Sequence, residues 1–182
     1  MSKKVYIFLA DGFEDIEGLT VVDLLRRAGI DIKTVSIKET TRIQTSHGIT
    51  MLTDAIFAET DFADADMLVL PGGMPGTLNL QKNKMVTDAI EYRVKNEKLV
   101  AAICAAPMIL GDLGYLDGKD AVCFPGFEDS LTESNILSDG VVRDGNFITA
   151  KGAGKALEFG AAIVDYFSEP PKGERILQKM QV

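Results

Sequence analysis

Residues 99–107, Leu99-Val100-Ala101-Ala102-Ile103-Cys104-Ala105-Ala106-Pro107, decide the fold. The run Leu99–Ile103 has no polar residue in it, which is how a strand buried on both faces of a covered sheet reads. Small residues then permit a tight turn into a helix, so Cys104 sits at the bend of a strand–turn–helix, the layout of the serine elbow of hydrolases.

Working outward, the same alternation recurs. Val5 to Leu9 and Met67 to Leu70 are further short buried runs, the second ended by Pro71-Gly72-Gly73. Val21, Leu24, Leu25 and Ala28 follow i, i+3, i+4, i+7 and predict a helix, with Gly29 at its C-terminal end. Ile30 to Ile37 predicts a strand, Ile43 to Leu52 an edge hairpin broken near His47-Gly48, and Lys84 to Lys95 a helix. Asp120 to Phe124 and Phe147 to Thr149 predict later strands. A stripe of Ala156, Phe159, Gly160, Ile163, Val164 and Phe167 predicts a long helix stopped by Pro170-Pro171. Strands alternating with helices mean an α/β fold with a mostly parallel sheet covered on both sides. No repeat or composition break interrupts the 182 residues, so one domain over 1–182 is expected.

Composition narrows the function. A fraction of 46% hydrophobic and 25% charged residues is that of a globular protein, and a net charge of −8 argues against nucleic acid as the main partner. No stretch approaches the ~20 apolar residues of a membrane helix, the start Met1-Ser2-Lys3-Lys4-Val5 lacks a full signal-peptide h-region and cleavage site, and with only two cysteines a reducing cytoplasm is expected. Cys104 and Cys123 are too few for a disulfide scaffold and, with His47 alone, too few for an ordinary zinc site. No metal or cofactor is expected.

In an open α/β sheet, ligands sit beyond the carboxyl ends of the strands. With a 2-1-3-4 strand order, three segments meet there: Asp11 to Glu17, Gly72 to Gly76, and Cys104 to Pro107. Cys104 is the candidate nucleophile, its thiol pKa expected to be lowered by the positive end of the following helix; the bland alternative is a small buried hydrophobe. Glu17, if buried beside it, resists ionisation and serves as proton donor or carrier. Otherwise Glu17 is a solvated acid in a helix's first turn, the reading better suited to Glu14 and Asp15. Gly72 allows close backbone approach, and the amides of Gly73 and Ala105 form a candidate oxyanion hole; the alternative is an ordinary strand-ending turn. Lys151 to Lys155 lacks the spacing of a phosphate loop and reads as a connection into the last long helix. His47 reads as a turn residue and Cys123 as a core cysteine rather than as a partner of Cys104.

Gly12-Phe13-Glu14-Asp15-Ile16-Glu17, Asp23 to Gly29, Leu70 to Gly73, Ala101 to Pro107 and Glu158-Phe159 together resemble the ThiJ/PfpI superfamily, in the branch of the Parkinsonism-associated protein deglycase and its bacterial relatives. The resemblance runs nearly end to end. It implies a flavodoxin-like three-layer sandwich that forms a homodimer, with Cys104 as the oxidation-sensitive cysteine, Glu17 as the acid bonded to it, and Gly73 and Ala105 as the amides facing the substrate oxygen. Gly72, Glu14 and Phe124 fall around that pocket. It further implies glutathione-independent glyoxalase or deglycase activity on methylglyoxal, glyoxal or their adducts, or a non-enzymatic role as oxidative-stress sensor and chaperone. Proteolysis is not expected, because the protease branch has histidine where this chain has Ala105. Some members of the branch carry a histidine where this chain has Phe124 before Pro125, so a Cys-His-Glu set is incomplete and Glu17 is left as the only side-chain proton carrier.

Overall fold

The computed structural model describes residues 3–182; Met1 and Ser2, which entered the reading of a missing export signal, lie outside them. The first half runs β1 (Lys4–Leu9), α1 (Asp15–Arg27), β2 (Asp31–Ser36), β3 (Arg42–Gln44), β4 (Thr50–Leu52), β5 (Ala55–Ile56), β6 (Met67–Leu70), α2 (Gly76–Lys82) and α3 (Lys84–Lys95). The second runs β7 (Leu99–Ile103), α4 (Pro107–Asp112), β8 (Asp120–Ala121), β9 (Asn135–Ile136), β10 (Val141–Asp144), β11 (Phe147–Ala150), α5 (Ala156–Phe167) and α6 (Lys172–Lys179).

Seven strands form one sheet in the order β10-β11-β7-β6-β1-β2-β5, parallel except for β10 at one edge. The expected 2-1-3-4 order is the segment β2-β1-β6-β7. Period-two alternation along the buried runs divides their side chains between two cores. Val5, Ile7, Leu9, Met67, Val69, Ala101 and Ile103 face α1, α5 and α6. Tyr6, Phe8, Leu68, Leu70, Val100 and Ala102 face α2, α3 and α4. The result is the flavodoxin-like α/β sandwich.

Each layer is fixed by close approach. A Cβ on Gly160 of α5 would lie 2.5 Å from Leu24 of α1, so glycine lets those helices touch. Gly173 of α6 lies against the backbone of Ala161 in the same way. On the other face, Arg93 of α3 is 1% exposed, and its guanidinium donates to the carbonyls of Ala65 and Phe62, tying α3 to the loop before β6. Sequence periodicity places Arg93 on α3 but gives no sign that it is buried.

Three expectations change. The hairpin over 43–52 forms as β3–β4, but as a separate two-stranded sheet rather than on the edge of the central one. Its backbone is held by the loop after β1, through Gly12 N–H to the Gln44 carbonyl at 2.8 Å and Ser46 N–H to the Phe13 carbonyl at 2.8 Å. The strand expected over 120–124 shrinks to β8, paired only with β9. The Val122 amide is taken by the Thr149 hydroxyl and the Phe124 amide by the Cys104 carbonyl, so this segment does not join the central sheet. Finally, Pro170-Pro171 ends α5 and leads into α6, a helix absent from the sequence reading.

Candidate active site

β1, β6, β7 and β11 all end at one rim, and the loops that leave them build the site. At the end of β7 the chain turns on Cys104, whose φ of 65° puts a non-glycine residue in the left-handed region. Such strain costs about 1–3 kcal/mol and persists only where neighbours enforce it. Here the Cys104 amide donates to the Ala150 carbonyl at 2.8 Å, while its own carbonyl accepts from Phe124 N–H at 2.8 Å. Pinned on both sides, Cys104 stays partly exposed at the bend.

Glu17 reaches this bend from the first turns of α1 and is 1% exposed. Its Oε2 accepts from the Gly72 amide at 2.9 Å. A Cβ on Gly72 would stand 2.6 Å from Glu17 Oε2 and 2.6 Å from Cys104 Cβ, so only glycine lets carboxyl and thiol meet. Oε1 is buried and has no hydrogen bond of regular geometry. Glu14 caps α1 by accepting from Glu17 N–H at 2.8 Å, and its charge bears on Glu17.

The electrostatics follow from this packing. Burial above all raises the Glu17 pKa to about 7; Glu14 adds to the rise, while contact with the thiol and the amides of Gly72 and Ala153 oppose it. The Cys104 thiol is pushed up to about 12, first by burial and then by the Glu17 charge, against the pull of the Ala105 and Gly73 amides. This reverses the lowered thiol pKa expected from the helix dipole. α4 begins only at Pro107 and has six residues, so its dipole acts weakly from a turn away, while burial and a carboxylate act at contact. The pair therefore holds both protons below about pH 7 and carries one negative charge above it, a property of both groups together.

Both sequence-chosen amides face the sulfur. Among the described residues neither Gly73 N–H nor Ala105 N–H donates to another backbone or side-chain group. A Cβ on Gly73 would meet the Glu14 amide at 2.3 Å, and its φ of 89° also calls for glycine.

Phe124 is half exposed beside the bend. With Pro125, Lys151 and the Gly152–Lys155 turn it lines an open cleft of about 420 Å³. That turn is more than the connection its spacing suggests: the Ala153 amide acts on Glu17, and the position of the turn directly after a strand of the rim is the sequence signal for it.

His47 does not join Cys104. It is exposed, with Nδ1 2.6 Å from Asp15 Oδ2, and this contact raises its pKa. Burial works against the Asp15 carboxylate, but hydrogen bonds from Thr45 and His47 prevail and hold its pKa down. Glu14, Asp15 and His47 offer three ligand atoms within 4.8 Å of one another, the one such group among the described residues. The direct Asp15–His47 bond accounts for their approach. Cys123 is 4% exposed, its thiol pushed to about 11 chiefly by burial, as a core cysteine.

Residues 3–166 match the DJ-1/PfpI family. The chain belongs to the DJ-1/PfpI family. It is 32% identical to Drosophila melanogaster dj-1beta over 184 residues, covering 100% of this chain and 98% of that protein. The crystal structure of Drosophila DJ-1beta superposes with a TM-score of 0.94, covering 100% of this chain and 99% of the other. Glutathione-independent glyoxalase DJR-1.2 of Caenorhabditis elegans is 28% identical over 169 residues, 92% of this chain and 89% of that one. DJ-1 homolog B of Arabidopsis thaliana is 33% identical over 166 residues, but the match takes in 90% of this chain and only 38% of the plant protein. Among the described residues no helix is long and apolar enough to cross a membrane.

Proposed function

We propose that this DJ-1/PfpI protein is a glutathione-independent glyoxalase or deglycase that converts methylglyoxal, glyoxal or their adducts. The observation that carries the reading is the partly exposed Cys104 on its strained bend, with the Glu17 carboxyl against it and the Gly73 and Ala105 amides facing its sulfur. The glyoxalase name of the C. elegans relative supports it.

In this mechanism the Cys104 sulfur adds to the aldehyde carbon. The carbonyl electron pair moves to oxygen, which the two amides steady until it takes the pair's proton through Glu17, giving a hemithioacetal. Glu17 then removes the hydrogen from that carbon and returns a proton to the neighbouring carbonyl carbon, while the hydroxyl proton on the first carbon's oxygen passes to the oxygen of the second. The first carbon is oxidised and the second reduced, so no outside oxidant is needed. The resulting 2-hydroxy thioester is hydrolysed by water, releasing lactate or glycolate and restoring the thiol. For a glycated adduct, an aminocarbinol, the sulfur displaces the amine at the same carbon: the C–N bond breaks as the C–S bond forms, the amine leaves with a proton from Glu17, and the same hemithioacetal results.

Turnover of methylglyoxal without glutathione, followed for wild type, Cys104→Ala and Glu17→Ala, tests the reading. Loss of turnover in both variants is expected; wild-type rates in either would overturn it.

The same groups favour a second reading, an oxidative-stress sensor with chaperone behaviour. A Cys104 sulfinate could accept bonds from the two amides and from protonated Glu17. Mass spectrometry after mild peroxide separates the two: two oxygens added at Cys104, without dicarbonyl turnover, favours the sensor. We further propose a cytoplasmic homodimer. Ile16 and Leu19 on α1 and Ile49 and Leu52 of the hairpin are exposed, and the Asp15–His47 contact holds the hairpin to the start of α1; these apolar side chains suit the approach of a second copy.

A further inference from the structure

We propose that Phe124 is a specificity-determining residue, and that the cleft it walls takes the substituent of a 2-oxoaldehyde carrying an aromatic ring. The proposal rests on the glyoxalase reading and names its substrate class.

The residues that line the cleft are tied to the reactive bend at two points. One wall, Phe124, is bonded through its amide to the Cys104 carbonyl at 2.8 Å. The Gly152–Lys155 turn, which also lines the cleft, carries the Ala153 amide that acts on Glu17. A substituent on a carbonyl held at Cys104 thus finds this space next to it. At about 420 Å³, the cleft falls within the range of about 300–1,000 Å³ usual for small-molecule sites, far more than a methyl group occupies.

Its chemistry is that of an aromatic receptor. The Phe124 ring is 46% exposed, yet it is held in place. Phe127 meets it edge to face with centroids 6.4 Å apart, and a Cβ on Gly152 would lie 3.1 Å from the ring, so glycine there lets the ring cover the turn. The Lys155 ammonium is engaged by Glu158 at 2.8 Å, which leaves the aliphatic stem rather than the charge for the cleft. The exposed part of the ring adjoins the cleft, and aromatic rings pack on one another in offset or edge geometry. Histidine at 124 would supply a polar ring; phenylalanine offers an apolar one.

Two measurements test this. First, kcat/KM for phenylglyoxal and methylglyoxal is compared in wild type and Phe124→Ala. Wild type should favour phenylglyoxal, and the substitution should lower the phenylglyoxal-to-methylglyoxal ratio about fivefold to tenfold. A ratio unmoved by the substitution overturns the proposal. Second, acetophenone is titrated into the Cys104→Ser protein while the backbone amides of Gly152–Gly154 are followed by NMR. Saturable shifts that Phe124→Ala abolishes support an aryl site even if neither aldehyde turns over, an outcome that defeats the glyoxalase reading alone. Amides that do not respond overturn the aryl site, whatever the enzyme does with methylglyoxal.

Discussion

Glu17 Oε2 and Cys104 Cβ both lie 2.6 Å from the point where a side chain on Gly72 would begin. An acid from α1 and a thiol from the end of β7 share the one space that this glycine leaves empty.

Gly72→Ala should therefore separate the pair. A methyl group at that point must displace Glu17 or strain the bend, at about 1–3 kcal/mol as for other overpacked sites. A lower midpoint of thermal unfolding, together with methylglyoxal turnover reduced by at least tenfold, is the expected result. Unchanged stability and turnover would mean that the contact is dispensable.

Glu17→Gln should keep the fold and remove the proton carrier, lowering turnover by roughly 10²–10⁴. It should also flatten the pH profile of stability. A carboxyl raised from 4.5 to about 7 in the fold favours the folded state fully below pH 4.5 and loses that contribution as pH rises through 7. Wild type should thus lose up to about 3 kcal/mol across this window relative to the variant. Urea unfolding at pH 4.5 and pH 8 measures it.

Turnover itself should depend on the charge of the pair. Below pH 7 both groups hold protons and the nucleophile is a neutral thiol, so kcat/KM should climb about tenfold per pH unit and level off once the pair has lost one proton, near pH 7. In Glu17→Gln that inflection should disappear from the rate of Cys104 alkylation by iodoacetamide.

Away from the site, Arg93→Met should strand the carbonyls of Ala65 and Phe62 in the core. An unpaired buried acceptor costs about 1–3 kcal/mol. Denaturant unfolding should show a loss of that order, with glyoxalase turnover at permissive temperature retained.

The central strands were legible because burial on both faces leaves no polar residue in Met67–Leu70 or Leu99–Ile103, and the site followed from what comes after each of them. Cys104, Glu17, Gly73 and Ala105 converge as their order along the chain implied. What local pattern does not encode was misread. Residues 120–124 are apolar enough for a strand, but their amides are claimed by Thr149 and Cys104. The thiol pKa depends on burial and on a carboxylate 87 positions away in sequence, neither of which a helix dipole argument contains. Ala153 acts only through its main chain, so its side chain carries no signal.

The two donors in front of the sulfur are main-chain groups, and exchanging the side chain at 105 leaves its N–H in place. The adjoining wall, in contrast, is a single ring. Reactivity and selectivity are thereby uncoupled: a one-codon change at 124 can retune what the corner accepts, whereas disabling the corner's hold on oxygen requires rerouting the chain.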